Sequence, residues 1–225
     1  MSCFETRRNL QSGCQHGQSH FTTHGLLRFI VLTSVLWLTA CGEQVPGQKP
    51  LTPNSKILAF GGSLIYGKGV LPEESFPARL QAETGRLVIN GGQPGEISAD
   101  GVKRLPIWLD EHEPDLLVLC HGANDLLRSL SEDKVEENIR TMVKLARDRG
   151  IEVILIAVPK FGGMHQAPNF FGKVAREFGI PLEARVLEEI VEHPRYHKDS
   201  VHPNAEGYQR VADAVVRLMR KSGAL

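Results

Sequence analysis

Three residue types at suitable spacing in this sequence could carry out nucleophilic catalysis. Ser63 follows a short apolar run and two glycines, so its hydroxyl is expected beyond the carboxyl end of a strand, where ligands bind in α/β sheets. Asp199 precedes His202 by three residues on a predicted loop, so its carboxylate can hold Nδ1–H and leave Nε2 free to take a proton. Many strands end in glycines and a serine without any chemistry, and it is the His-Asp pair that makes Ser63 a candidate nucleophile.

His202 is the best candidate base because it alone has a carboxylate so close in the sequence. The other histidines of the main body have no comparable local partner: His112, His121, His165, His193 and His197. Cys120 ends an apolar run, and a lone cysteine there is more typical of a small buried side chain than of a nucleophile. The cysteine spacing predicts neither a disulfide framework nor a zinc site.

Two further loops could supply hydrogen-bond donors beside such a serine. Residues 90–96 contain three glycines in five residues, which lets backbone amides approach a ligand closely. Residues 121–125 place the carboxamide of Asn124 after the next apolar run. Each loop alone is an ordinary strand-to-helix turn, but together they predict a site at one edge of a sheet.

The elements that would position these loops follow an alternating pattern. Short apolar runs alternate with longer amphipathic stretches, which is typical of a parallel sheet covered by helices on both faces, an α/β fold. The predicted strands cover residues 56–60, 86–90, 115–120 and 152–158, with a weak fifth near 180–182. The predicted helices cover residues 75–84, 99–111, 133–149, 170–178, 184–192 and 204–221.

A competing motif overlaps the serine. Residues 62–68 match the G-x-x-x-x-G-K part of a nucleotide-binding P-loop. Gly69, however, stands where a Ser or Thr should bind Mg²⁺, and Pro72 falls in the second turn of the expected helix. The nucleophile elbow G-x-S-x-G is not matched either, because Ile65 replaces its last glycine. A nucleotide-binding protein is therefore a disfavoured hypothesis.

Four separated motifs, in order, resemble the SGNH (GDSL) hydrolase family, in particular its lysophospholipase/thioesterase/arylesterase-like branch. Residues 60–64 (FGGSL) correspond to the first block, F-G-D-S-L, and Gly95 to the glycine of the second block. Residues 122–125 (GAND) correspond to G-x-N-D, and residues 199–203 (DSVHP) to D-x-x-H-P. The resemblance implies a three-layer α/β/α sandwich with a flavodoxin-like parallel sheet of about five strands.

The resemblance also implies roles for these residues in ester hydrolysis without a cofactor or metal. Ser63 would be the nucleophile, His202 the base and Asp199 the carboxylate that orients it. The Ser63 amide, the Gly95 amide and the Asn124 side chain would form the oxyanion hole. Small acyl esters, thioesters or lysolipids would be the substrates. Residues 161–171 could line an acyl pocket or form an ordinary loop.

One position departs from the family pattern. The aspartate that precedes the family's serine is Gly62 here. That aspartate is not the triad acid, but it can hydrogen-bond neighbouring loop amides and steady the turn that holds the serine. The alternative hypothesis is therefore a catalytically weak or silent envelope binding protein of the same fold.

The N-terminal part of the chain reads as a targeting segment. An apolar run of about the length of a signal-peptide core ends at Cys41 in a sequence that resembles the bacterial lipobox. We expect a lipoprotein signal peptide over residues 1–40, lipidation of Cys41, a flexible tether over 41–55 and one hydrolase domain over 56–225. The product would be anchored to a membrane of the bacterial cell envelope. The 26 basic residues balance the 26 acidic ones, which argues against a nucleic-acid partner, and the sequence indicates no obligate protein partner.

Overall fold

A computed structural model describes residues 44–162 and 165–225 of the chain. The predicted signal peptide and the predicted lipidation site at Cys41 lie outside these residues. Within the described ranges, none of the helices combines the length and apolar character needed to cross a bilayer.

Five parallel strands form the sheet at the centre of the described domain. They are β1 (Lys56–Gly61), β2 (Leu87–Gly92), β3 (Leu116–Cys120), β4 (Glu152–Ile156) and β5 (Leu182–Glu183). Their spatial order is β2-β1-β3-β4-β5, and every neighbouring pair is parallel. Strands β3 and β4 are buried along their whole length, as expected for strands covered on both faces. The predicted flavodoxin-like sheet is confirmed.

Helices cover the sheet on both sides. The described α-helices are α1 (Ser63–Tyr66), α2 (Phe76–Thr84), α3 (Ser98–His112), α4 (Ala123–Leu127), α5 (Glu132–Arg147), α6 (Phe170–Phe178), α7 (Val186–Glu192) and α8 (Ala205–Ser222). Two 3₁₀ turns, Pro72–Glu74 and Pro194–Tyr196, precede α2 and α8. Helix α2 packs against α8, whereas α3, α5 and α6 pack in a row on the opposite face.

The sequence of α5 shows why these helices bind the sheet. Its buried residues are Val135, Ile139, Met142, Val143 and Ala146, which recur at intervals of one helical turn and form one apolar stripe. Its exposed residues are all charged: Glu132, Asp133, Lys134, Glu137, Lys144 and Arg147. Burying a large apolar side chain contributes about 1.5–3 kcal/mol, so the stripe fixes which face of α5 meets the sheet.

The sequence prediction missed two helices and placed one segment differently. Helices α1 and α4 are only four and five residues long, too short to show an apolar periodicity. In the segment predicted as a tether, Gln48 Nε2 donates to the Val153 carbonyl at 3.0 Å and the Leu51 amide donates to the Ala224 carbonyl at 2.9 Å. Leu51 is buried in the core. The folded domain therefore begins before Lys56.

The strand order predicts a crevice at the carboxyl end of β1. From β1 the chain moves to one side to form β2 and then returns across β1 to form β3. Connections that leave neighbouring strands in opposite directions open such a crevice above the strand ends. Ser63 begins α1 directly after β1, Gly95 lies in the loop after β2, and Asn124 lies in the first turn of α4 after β3.

Candidate active site

A chain of hydrogen bonds joins the predicted nucleophile, base and acid. Ser63 Oγ lies 2.9 Å from His202 Nε2. Nδ1 of the same ring lies 3.0 and 2.9 Å from the two carboxylate oxygens of Asp199. Because the carboxylate can only accept, Nδ1 carries the ring proton and Nε2 is free to accept the proton of the serine hydroxyl. The three side chains are placed for general-base activation of Ser63.

The local turn keeps the Asp199 carboxylate ionised. Its Oδ1 accepts from the amides of Val201 and His202 at 2.9 and 2.8 Å. Partial burial raises the pKa of Asp199, but the hydrogen bonds from the His202 ring and from these two amides outweigh it and lower the pKa to about 2. Asp199 therefore faces His202 as an anion at neutral pH.

The loop before α8 holds His202 in place from both sides. The His202 carbonyl accepts from the Lys198 amide at 2.8 Å, closing the turn that contains Asp199. Two residues later, Asn204 caps α8 by accepting from the Gly207 amide at 3.0 Å, and its Nδ2 donates to the Arg195 carbonyl at 2.7 Å. The histidine thus lies between a closed turn and a capped helix.

Ser63 owes its position to a close approach between β1 and β3. A Cβ atom on Gly61 would overlap the carbonyl oxygen of Cys120, so only glycine fits at the end of β1. The next residue, Gly62, has a φ of −91°, which other residues also adopt. Ser63 then begins α1, where no preceding helical turn can accept its amide hydrogen.

Asn124 lies in α4 with its side chain turned toward the loop after β2. Its Nδ2 donates to the Glu96 carbonyl at 2.9 Å. A Cβ atom on Gly62 would lie 3.3 Å from the same Nδ2. The carboxamide predicted as an oxyanion donor is therefore adjacent to the residue that precedes the serine.

Gly95 adopts a backbone conformation that favours glycine, with a φ of +82°. The peptide that follows it is held at both ends: its carbonyl accepts from Arg128 Nη2 at 2.9 Å, and its amide, that of Glu96, donates to the Gln93 carbonyl at 3.2 Å. The Gln93 amide in turn donates to the Gly61 carbonyl at 2.9 Å, which ties this loop to the end of β1.

Asp125, the last residue of the G-x-N-D block, is buried and connects two loops of the site. Its two carboxylate oxygens accept from the Ser98 amide at 2.8 Å and from the Ser98 hydroxyl at 2.7 Å. Asn138 of α5 donates to that hydroxyl at 2.9 Å. Asp125 therefore caps α3 from another element and fixes α4, which contains Asn124, beside the Gly95 loop.

A buried ionic cluster that the sequence did not predict lies next to these donors. The Glu96 carboxylate accepts two hydrogen bonds from Arg104, both at 2.7 Å, and one from His121 at 3.0 Å. Burial raises the pKa of Glu96, but these bonds and charges outweigh it and lower the pKa to about 2. His121 has no local partner in the sequence because its carboxylate lies 25 residues earlier in the chain. Glu96 and Arg104 are eight residues apart and Glu96 lies outside α3, so this pair lacks the i,i+3 or i,i+4 spacing that would have indicated it in the sequence.

The other candidates do not form sites of their own. Cys120 is buried, and burial raises the pKa of its thiol to about 12, which excludes a thiolate nucleophile at neutral pH. Four residues of the P-loop-like stretch form α1, and α2 begins only at Phe76. In the described part of the chain, no group of three or more His, Cys, Asp or Glu residues is arranged to hold a metal ion.

Comparisons with known proteins show the family to which this sequence belongs. The model of the GDSL-like Lipase/Acylhydrolase family matches residues 59–210. An arylesterase of Vibrio mimicus is 32% identical over 179 residues, covering 75% of this chain and 90% of its own length. The Thioesterase 1/protease 1/lysophospholipase L1 of Escherichia coli K12 is 28% identical over 174 residues, covering 73% of this chain and 83% of its own.

A solved structure shows the same fold. The psychrotrophic esterase EstA from Pseudoalteromonas sp., in a form inhibited by monoethylphosphonate, superposes with a TM-score of 0.66 at 23% identity, covering 75% of this chain and 98% of its own. The matched family region contains all five predicted site residues: Ser63, Gly95, Asn124, Asp199 and His202. On this agreement of motif order, topology and sequence, the chain belongs to the GDSL-like lipase/acylhydrolase family, whose named relatives are ester hydrolases.

Proposed function

We propose that this protein hydrolyses carboxylic esters or thioesters through an acyl intermediate on Ser63. The observation that carries the proposal is the hydrogen-bonded chain from Ser63 Oγ through the His202 ring to Asp199, with heavy-atom distances of 2.9 to 3.0 Å. Distances in this range allow direct proton transfer between the serine and the imidazole. The histidine needs no rearrangement before it acts as the base.

In the acylation step, Ser63 Oγ bonds to the acyl carbon while its proton moves to His202 Nε2. The tetrahedral adduct then loses the alcohol or thiol, which takes that proton as its bond to the acyl carbon breaks. In the second step water bonds to the acyl carbon, its proton moves to Nε2, and the proton returns to Ser63 as the carboxylic acid leaves. Asp199 stabilises the transient imidazolium in both steps.

The oxyanion of each adduct would be bound by the Ser63 amide, the Gly95 amide and Asn124 Nδ2. The first two are backbone donors on separate segments, and the hydrogen bond from the Gln93 amide to the Gly61 carbonyl ties the Gly95 loop to the strand end that leads to Ser63. Donors that are already fixed before the reaction stabilise developing charge without reorganisation, and removing one typically costs about 3 kcal/mol of transition-state stabilisation.

The substrate class is inferred from the relatives and from two exposed side chains on the helices that contain Ser63 and Asn124. Tyr66 shares α1 with Ser63, and Leu127 shares α4 with Asn124; both side chains are about half exposed. Exposed aromatic and aliphatic side chains on these helices favour aryl or acyl groups over charged substrates. The names of the relatives, arylesterase and Thioesterase 1/protease 1/lysophospholipase L1, point to aryl esters, thioesters and lysolipids.

The large apolar side chains of the segment after β4 contribute little to a substrate pocket. Phe170 and Phe171 start α6 and are almost wholly buried in the core, so they offer little apolar surface to a substrate; of the two, Phe170 borders the cavity beside this segment. A cavity of about 290 Å³ lies between this segment and α5, but ion pairs such as Lys160–Glu132 border it. We therefore do not assign this cavity to an acyl chain.

We also propose that the enzyme is lipid-anchored through Cys41 on a membrane of the bacterial cell envelope. The support is the apolar run that ends at this cysteine. Growth of a bacterial host with an alkynyl fatty acid should label the wild-type protein and direct it to the membrane fraction. Cys41→Ser should lose both the label and the membrane association. A labelled Cys41→Ser protein would overturn the anchor.

Hydrolysis is tested with p-nitrophenyl esters of increasing acyl length, an acyl-thioester and a fluorophosphonate probe. Wild-type protein should turn over at least one ester series and bind one equivalent of probe, and Ser63→Ala should do neither. Absence of turnover and labelling in folded wild-type protein would overturn the proposal and favour a silent binding protein. Labelling of Ser63→Ala would show that a residue other than Ser63 is the nucleophile.

A further inference from the structure

The Glu96 carboxylate, next to the proposed oxyanion hole, is fixed by three side-chain hydrogen bonds. Its side chain is only 6% exposed. Arg104 holds it with two parallel hydrogen bonds, Nε to Oε1 and Nη2 to Oε2, both at 2.7 Å. Bidentate arginine–carboxylate pairs fix the orientation of the carboxylate as well as its distance. Glu96 therefore has one defined position relative to α3.

Arg104 is itself held on three sides. Its guanidinium lies 4.0 Å above the centre of the Phe60 ring, in the strand that leads to the nucleophile. It lies 5.2 Å from the centre of the Trp108 ring. Nη2 also donates to the Gly91 carbonyl at 2.9 Å, at the end of β2. Through these contacts, Arg104 fixes the position of Glu96 relative to the carboxyl ends of β1 and β2.

His121 completes the cluster in a defined tautomer. Its Nδ1 accepts from the Gly122 amide at 2.9 Å, so its Nε2 carries the proton and donates to Glu96. Gly101 makes room for this ring, because a Cβ atom there would lie 2.5 Å from His121 Nε2. His121 lies just ahead of α4, the helix that contains Asn124.

The backbone of Glu96 transmits this fixed position to the oxyanion donors. The Glu96 carbonyl accepts the hydrogen bond from Asn124 Nδ2 at 2.9 Å, and Glu96 directly follows Gly95. A shift of Glu96 would displace both donors. Misplacing a catalytic group by about 1 Å can reduce the rate about 100-fold.

Gly62 explains why this support matters in this chain. A side chain at position 62 would begin 3.3 Å from Asn124 Nδ2, close to the carbonyls of Gln93 and Glu96. An aspartate there could hold the carboxamide directly, whereas glycine has no group to do so. The hydrogen bond to Glu96 is then the contact that aims the Asn124 carboxamide.

We propose that Glu96, clamped by Arg104 and His121, is the positioning residue of the oxyanion hole and takes over the support that Gly62 cannot give. The inference rests on the proposed hydrolase function. Glu96 does not touch the substrate and acts only through Asn124 and Gly95. Its removal should therefore affect the reaction step and leave substrate binding nearly unchanged.

The test compares Glu96→Gln with Glu152→Gln in the full chain. Glu152 pairs with Arg147 at 2.8 Å and is also largely buried, but it lies at the amino end of β4, away from the crevice. Active sites are counted with a fluorophosphonate, so that kcat for a p-nitrophenyl ester is expressed per titrated site. KM is measured in the same assay. Glu96→Gln should lower kcat about 10- to 100-fold with KM within about threefold. Glu152→Gln should retain kcat per site.

A rescue separates positioning from general loss of structure. Adding Gly62→Asp to Glu96→Gln should restore kcat at least about fivefold, because the new carboxylate lies beside Asn124. If Glu96→Gln does not fold, Arg104→Lys is the second variant, because lysine keeps the positive charge but cannot make the bidentate contact with Glu96. It should show the same loss of kcat with unchanged KM. Wild-type-like kcat per site in these variants, or no rescue by Gly62→Asp, would overturn the inference. Inactive wild-type protein would instead overturn the proposed hydrolysis.

Discussion

Ser63 Oγ and His202 Nε2 are 2.9 Å apart although 139 positions separate the two residues in the sequence. Ser63 follows the first strand, and His202 precedes the last helix. Helix α8 packs against α2, on the side of the sheet to which the chain turns after Ser63. The packing of α8 therefore sets the distance between nucleophile and base. The segments after β2 and β3 contain Gly95 and Asn124, the other proposed oxyanion donors.

Replacing Asn124 with alanine should lower kcat about 100- to 1000-fold with little effect on stability. The side chain is half buried, and its one hydrogen bond in the described structure is to the Glu96 carbonyl. Activity on a p-nitrophenyl ester and thermal unfolding provide the measurements. Asn54→Ala, at an exposed turn before β1, is the control and should match wild type. An Asn124→Ala enzyme with normal kcat would exclude the carboxamide from the oxyanion hole.

Asp199→Asn should reduce kcat roughly 10³- to 10⁴-fold, as expected when the orienting carboxylate of such a triad is lost. The amide cannot stabilise the imidazolium charge, and its NH₂ group would favour the wrong tautomer of His202. The pKa of Asp199 is about 2, so the carboxylate stays ionised in wild-type enzyme across any pH from 4 to 9. A kcat–pH profile of both proteins, with a fluorophosphonate count of sites, measures the effect. A variant within tenfold of wild type would remove Asp199 from the triad.

Much of this fold could be predicted because local patterns determine it. The apolar stripe of α5 and the buried runs of β3 and β4 are visible in the sequence, and the structure confirms them. The Asp199–His202 contact could also be predicted, because a single turn brings the two residues together. Helices α1 and α4 could not, since four or five residues carry no periodic signal.

The supporting contacts of the site were beyond sequence reasoning for a different reason. His121 and Glu96 are 25 residues apart, and Ser98 and Asp125 are 27 apart, so both pairs form only when the loops after β2 and β3 meet. The segment of Gln48 and Leu51 looks like a linker in composition, yet it is held by backbone hydrogen bonds to the end of the chain. Composition describes side chains and cannot reveal such backbone pairing.

Gly101→Ala should lower both stability and kcat, whereas Gly172→Ala should lower neither. Alanine is intrinsically favoured over glycine inside a helix by about 0.5–1 kcal/mol. At Gly101, in α3, the new Cβ would lie 2.5 Å from His121 Nε2 and displace the ring from Glu96. At Gly172, in α6, it would meet only the mobile end of Arg176. Urea unfolding and kcat per titrated site decide the outcome. Equal behaviour of the two variants would show that His121 has room to move.

The stability of the wild-type protein relative to Glu96→Gln should fall as the pH is lowered from 5 toward 2. The folded-state pKa of Glu96 is lowered from 4.5 to about 2, so its ionised form stabilises the folded state above the unfolded pKa, and this contribution is lost as the pH falls through the folded pKa. A shift of this size corresponds to about 3 kcal/mol of unfolding free energy.

Urea unfolding of both proteins at pH 7, 5, 4, 3 and 2.5 measures this difference directly. Asp199 also has a lowered pKa and titrates in the same range, but it is present in both proteins and cancels in the comparison. At pH 7 the variant should be the less stable protein, because the largely buried Arg104 guanidinium loses its carboxylate partner. The difference in unfolding free energy between the two proteins should narrow steadily as the pH falls. A gap that stays constant from pH 7 to 2.5 would mean that Glu96 is not held as an anion by Arg104 and His121 in the folded protein.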